Sequence, residues 1–180
     1  HITCNGANDG QILAIDAYGG ISPYLYSVNG GAYHTNMAYF HSYGPGTYTV
    51  QVVDVNNCSA QDIIIIEEPD VLDVSITTSL WNGYEVKCNG DNSGTATISI
   101  NGGNGPYVKT IYDSSNNIFY NGTSNYITGL VAGLYTFEIT DVNGCIYQEV
   151  LTYQEPTAIS HNFVIDHITC SGWTNGAITW

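Results

Sequence analysis

The side chains with the clearest chemical potential are five cysteines whose spacing repeats. Cys4, Cys88 and Cys170 stand 84 and 82 positions apart, and Cys58 and Cys145 stand 87 apart. Thiols placed this way can oxidise in pairs, hold a metal or stay reduced. Order along the chain pairs Cys4 with Cys58 and Cys88 with Cys145, and leaves Cys170 to a partner outside the sequence. Each such bridge closes a loop of about 55 residues, worth roughly 4 kcal/mol in the chain-entropy description. For a small domain that is a large share of net stability. Buried free thiols are the plainer alternative. Zinc is disfavoured, because no Cys-x-x-Cys occurs and the second copy has no histidine near its cysteine. Paired cysteines imply an oxidising, extracellular setting.

The short polar turn after each opening cysteine offers hard oxygen ligands. Asn5, Asn8 and Asp9 in the first copy, and Asn89, Asp91 and Asn92 in the second, could hold Ca²⁺, joined by Asp54 or Asp141 if the bridge brings the hairpin alongside. Ordinary turn chemistry competes with this reading, since the same residue types make turns and the third copy has no acid there. The acidic run Glu67-Glu68-Pro69-Asp70 with Asp73 could hold a cation, but its counterpart around Glu155-Pro156 keeps one acid, which favours solvated charge. Catalysis finds little support. His34, His41 and His161 have no repeat counterpart, and no nucleophile elbow, zinc helix or phosphate loop is present. Paired carboxylates occur as in any acidic chain and define no glycosidase without geometry. With two lysines at non-equivalent places, an isopeptide crosslink is not expected either. The reading is of a non-enzyme without a resident cofactor, Ca²⁺ excepted. Tyr18, Tyr33, Tyr39 and Trp81, if exposed, could stack on surface glycans, against the plainer role of strand packing.

Charge narrows the partners. Sixteen acids face two lysines and no arginine, for a net charge of −14. No cationic surface exists to displace phosphate counterions or to meet an anionic bilayer, which excludes nucleic acid and surface-bound membrane partners. No apolar run is long enough to cross a bilayer as a helix.

The elements that carry these groups repeat as well. Gly46-Thr47-Tyr48-Thr49-Val50 returns as Gly133-Leu134-Tyr135-Thr136-Phe137, Asp54-Val55-Asn56-Asn57-Cys58 as Asp141-Val142-Asn143-Gly144-Cys145, and Glu68-Pro69 as Glu155-Pro156. A period above 80 residues suits a small domain rather than a solenoid turn. Tyr135, Phe137 and Ile139 alternate with Thr136, Glu138 and Thr140, and Tyr48, Val50 and Val52 do likewise: one apolar face and one wet face. The Asn-Asn and Asn-Gly pairs then turn the chain into a returning strand, at 63–66 in copy one and 146–153 in copy two. Further strands are predicted near 11–17, 24–28, 71–79, 95–101, 107–112 and 158–165. No helical period occurs. The predicted architecture is all-β: tandem immunoglobulin-like antiparallel β-sandwich domains. Tyr48 and Tyr135 sit where a tyrosine corner would, and Pro69 and Pro156 mark stiff joints. The boundaries expected are 1–69, lacking its opening strand, then 70–156, then 157–180 as the start of a third repeat cut from a longer chain.

With these residues placed, the unit resembles the SprB repeat of Bacteroidota surface proteins. Shared marks are the opening Cys-x-Gly turns (Cys4-Asn5-Gly6, Cys88-Asn89-Gly90), Gly102-Gly103 before Pro106-Tyr107, Gly-x-Tyr-Thr, Asp-x-Asn-Gly-Cys and the closing Glu-Pro. Copy one departs at Gly20-Ile21-Ser22-Pro23 and has Asn57 where glycine is usual. The resemblance implies a piece of a giant adhesin exported by the type IX system, of the kind used in gliding motility. The expected role is structural and adhesive, a disulfide-stapled rod whose partners are neighbouring repeats and other copies in a filament. The alternatives are an array of carbohydrate-binding modules, and a subunit that polymerises without covalent links.

Overall fold

The structure, a computed structural model, describes residues 1–13, 17–35, 40–166 and 177–179. Before the first Glu-Pro pair lie β1 (Gly10–Gln11), β2 (Leu25–Val28), β3 (His41–Tyr43), β4 (Gly46–Val53) and β5 (Ser59–Ile66). Between the two Glu-Pro pairs lie β6 (Asp73–Thr78), β7 (Gly94–Asn101), β8 (Val108–Tyr112), β9 (Ile118–Gly122), β10 (Tyr126–Leu130), β11 (Gly133–Thr140) and β12 (Ile146–Tyr153). Beyond the second pair, β13 (Val164–Asp166) meets β14 (Ala177–Thr179).

The seven strands β6–β12 form an immunoglobulin-like sandwich. A three-stranded sheet in the order β10-β7-β6 faces a four-stranded sheet in the order β12-β11-β8-β9, all antiparallel. The alternation in β11 decides which side faces in. Tyr135, Phe137 and Ile139 point into the core beside Val74, Ala96, Ile98, Ile111, Leu130 and Tyr153, while Thr136, Glu138 and Thr140 lie on the other face. Apolar burial of this kind is the main favourable term for a unit this small. One cation joins the interior: Lys109 is buried in β8, where desolvation lowers its pKa, and its Nζ donates to the Thr123 carbonyl at 2.9 Å.

The first unit is thinner. Its sheets are β2-β4-β5 and β1-β3, around Ile2, Ile12, Val28, Phe40 and Ile66. No described strand there plays the part of β6, so Tyr48, Val50 and Val52 are only half buried. The two apolar clusters share no residue.

Strand β12 begins and ends where the sequence predicts, while β3, β9 and β10 were not anticipated. Residues 158–163 precede β13 rather than forming part of it. The β13–β14 ladder pairs Val164 with Thr179, the repeat counterpart of Thr77 with Thr97 in the β6–β7 ladder. A third unit thus opens in the register of the second.

Candidate functional site

The chemistry of this chain collects where one unit meets the next. Each unit brings two loops to that place. The first is the hairpin turn that ends in the second cysteine. Asp141 Oδ1 accepts the N–H groups of Asn143 and Cys145, each at 2.9 Å, and its Oδ2 accepts that of Asn104 at 3.0 Å. Asp54 repeats the pattern, with Oδ1 taking Asn56 at 2.8 Å and Cys58 at 2.9 Å, and Oδ2 taking Ile21 at 3.1 Å. Burial raises the pKa of Asp141, but the N–H groups of Asn104, Cys145 and Asn143 outweigh it and hold the carboxyl below its ordinary value. For Asp54 the Cys58 N–H is the strongest influence, and the net direction is the same. The turn also needs one left-handed residue. Gly144 supplies it at φ 86° and Asn57 at φ 64°, a conformation that asparagine tolerates better than most residues, so the departure from Gly leaves the turn intact.

The second loop follows the opening cysteine and clasps the Glu-Pro joint of its own unit. The Gly6 N–H donates to Glu68 Oε2 at 2.6 Å and Asn5 Nδ2 donates to the Pro69 carbonyl at 3.0 Å. In the second unit the Gly90 N–H meets Glu155 Oε2 at 2.6 Å, and Asn89 Nδ2 reaches Glu155 Oε1 at 2.7 Å and the Pro156 carbonyl at 3.2 Å. The Glu-Pro pair is therefore more than a strand stop. Its carboxylate fastens the polar turn to the joint, a link visible in sequence only as the shared recurrence of Cys-Asn-Gly and Glu-Pro.

These two loops correct the expected disulfides. Cys4 is bonded to Cys145, with Cα atoms 5.7 Å apart and 141 positions between them, while Cys58 and Cys88 are free and exposed. Neither Cys4–Cys58 nor Cys88–Cys145 forms. Within the second unit the hairpin turn lies at the entrance end, where the Asp141 side chain holds Asn104 and Gly103 bonds back to Asp70. The opening loop lies at the exit end, where Val86 bonds to Gln154. The eight residues of β12 run between the two ends, roughly 25 Å at strand rise. A disulfide spans Cα atoms no more than about 7 Å apart. The exit end of one unit does meet the entrance end of the next, so the bridge crosses the joint. Asn143 Nδ2 adds a hydrogen bond to the Thr3 carbonyl at 3.1 Å. A shallow cleft lined by Cys4, Asn5, Val71, Leu72, Cys145 and Ile146 marks the seam.

The cation candidates are not brought together. Asp9 accepts both the N–H and the hydroxyl of Thr3, which lowers its pKa. Asp91 caps the N–H of Asn92 at 2.7 Å. Asn5 and Asn89 point their amides at the joints, and Asp54 and Asp141 are occupied by their own turns. Among the described residues no three His, Cys, Asp or Glu side chains converge. The corner tyrosines do bond backward: Tyr48 Oη donates to the Gly44 carbonyl at 3.0 Å, and Tyr135 Oη accepts the Val131 N–H at 3.3 Å. Tyr18 is almost fully exposed, Tyr33 bonds Gln51 at 2.8 Å, and Trp81 lies under the Lys87 ammonium at 5.4 Å from the ring centre. Tyr39 and Cys170 lie outside the described residues.

No curated protein sequence matches the chain. Among solved structures, a C-terminal 282-residue fragment of intimin, in complex with the intimin-binding domain of the translocated intimin receptor, is similar at TM-score 0.42 and 15% identity. That likeness covers 72% of this chain and 51% of the fragment, so the chain spans about half the fragment's length. The IgVJ-C2 molecule of amphioxus is similar at TM-score 0.38 and 14% identity, over 77% of this chain and 92% of that one. The SprB repeat family matches residues 2–33 and 85–116, which begin one period apart and each hold an opening cysteine, its polar turn and the strands that follow. The chain thus carries two stretches, one in each of its first two units, that are similar to the SprB repeat.

Proposed function

We propose that this chain is a segment of a large secreted cell-surface adhesin or filament, in which units 1–69, 70–156 and the unit opening at 157 stack into a stapled rod. The observation that carries the reading is the Cys4–Cys145 bond across the first joint. A bridge there removes the freedom of two domains to swing about Pro69. The Glu68 clasp on Gly6 acts to the same end. The SprB repeat points to the cell surface, and the gliding adhesins that share it make a type IX export route in a Bacteroidota bacterium the natural setting. The unbalanced negative charge keeps such rods from clumping. The role is mechanical: hold an adhesive surface away from the cell and keep its shape under shear.

Beads coated with the oxidised chain, placed under flow over a surface that cells of the source organism colonise, test this reading. Retention is expected, with loss of retention for beads carrying Cys145→Ser. Equal retention of both would overturn the rod, and no retention of either would overturn the adhesive role.

A further inference from the structure

The two free cysteines are held like the two bonded ones. Around Cys88, the Asp91 N–H donates to the Cys88 carbonyl at 3.1 Å, as Ala7 donates to Cys4 at 3.0 Å. Gly90 and Asn89 clasp Glu155 and Pro156 as Gly6 and Asn5 clasp Glu68 and Pro69. Around Cys58, the turn N–H groups converge on Asp54 as those before Cys145 converge on Asp141, and both hairpins close with an Asp N–H to Cys carbonyl bond of 3.0 Å. Cys88 thus matches the bonded Cys4, and Cys58 matches the bonded Cys145. Both thiols are exposed, Cys88 in a cleft with Leu80, Trp81, Tyr84, Lys87 and Pro156. Past Pro156 the β13–β14 ladder sets the start of a further unit in the register of β6–β7.

We propose that Cys88 and Cys58 are each one half of the same inter-unit staple, and that their partner is a further unit of this repeat. Cys88 bonds the hairpin cysteine of the unit that follows, and Cys58 bonds the opening cysteine of the unit that precedes. The inference rests on reading the chain as a run of stacked repeats. Each bond forms by oxidation of two thiols: both S–H bonds break, and the two protons and two electrons pass to a small disulfide oxidant, whose S–S bond breaks to give two thiols. Alongside the new bond, Asn56 donates to the Lys87 carbonyl of the neighbour, the counterpart of Asn143 on Thr3. Every unit then holds one staple on each side, and no bridge lies within a unit.

The test is a head-to-tail fusion in which residues 1–166 run directly into a second, complete 1–180. The second His1-Ile2-Thr3-Cys4 then stands where His167-Ile168-Thr169-Cys170 stood. Cys58→Ser in the first copy, with Cys88→Ser and Cys170→Ser in the second, leaves six cysteines. After refolding in oxidised and reduced glutathione, unreduced peptide mapping is expected to show Cys4–Cys145 in each copy and Cys88 of the first joined to Cys58 of the second. Cys88 joined to Cys145, or left free beside intact Cys4–Cys145 bonds, overturns the inference alone. Absence of Cys4–Cys145 itself overturns the stacked reading beneath it. Spin labels at the first Cys88 and the second Cys58 give an independent check. Their separation should match that of labels at positions 4 and 145, and a clearly longer one refutes the proposal.

Discussion

Removing the staple should destabilise two units at once. When the second unit unfolds while the first stays folded, its chain remains fixed at both ends: at the Pro69 joint, and at Cys145 through Cys4. The loop so closed runs over residues 70–145, roughly 75 residues, for which the chain-entropy relation gives about 4 kcal/mol at 25 °C. Unfolding the first unit against a folded second closes residues 4–69 and gives nearly the same figure. At about 4–8 °C per kcal/mol for a domain of this size, both transitions should fall by about 15 °C or more. Calorimetry on Cys4→Ser and Cys145→Ser should show equal losses, each shifting both transitions. Cys58→Ser and Cys88→Ser should melt like the parent chain. Bridges within units would give another pattern, in which Cys58→Ser matches Cys4→Ser and Cys145→Ser leaves the first unit untouched. Either of those observations would refute the reasoning.

Three further outcomes follow from the same structure. Asp141 has a folded-state pKa below its ordinary value of 3.8, so its contribution to stability is present above that value and is lost as pH falls through the lowered one. Melting temperature should therefore drop below about pH 4 in the parent and drop less steeply in Asp141→Asn, as read by circular dichroism against pH. Phe137 is fully buried in the second core, so Phe137→Ala should cost about 3–5 kcal/mol in urea unfolding of that unit and leave the first unchanged. Glu68→Gln replaces the charged acceptor of the Gly6 N–H, which should cost about 1 kcal/mol or less and speed amide exchange at Gly6 while Gly90 stays protected.

The parts of this fold legible in the sequence are those fixed by short-range pattern. Alternation at Tyr135, Phe137 and Ile139 and the Asn-Gly turn after Asp141 place β11 and β12, because period-two burial and positive φ are local demands. Strands β9 and β10 escaped notice because Ile118, Phe119 and Tyr126 are partly exposed and give no clean apolar stripe. The isoleucine run 63–66 signals a strand and hides which side is wet: Ile63 and Ile65 are mostly exposed, and Ile66 is buried. At the junction, sequence order misled. It puts Cys4 nearest Cys58, whereas the length of β12 separates the two cysteines of a unit and the joint brings together cysteines of different units. Glu68 and Glu155 read as solvated charge because their donors, Gly6 and Gly90, lie more than 60 positions away.

The bond across the joint also decides which atoms bear a pull. Tension that reaches Cys4 from the preceding side need not run through the rest of the first unit or the other six strands of the second. It crosses the sulfur bridge to Cys145 and continues along β12 to Pro156, a covalent path of roughly 40 Å. The residues from Asn5 to Gly144 lie off that path as slack. What resists is the covalent chain itself, and the eight residue pairs of β12 on β11 only keep that strand extended. An oxidised rod of such units would stretch little, and the same rod after reduction would pay out each unit as a long, compliant tether.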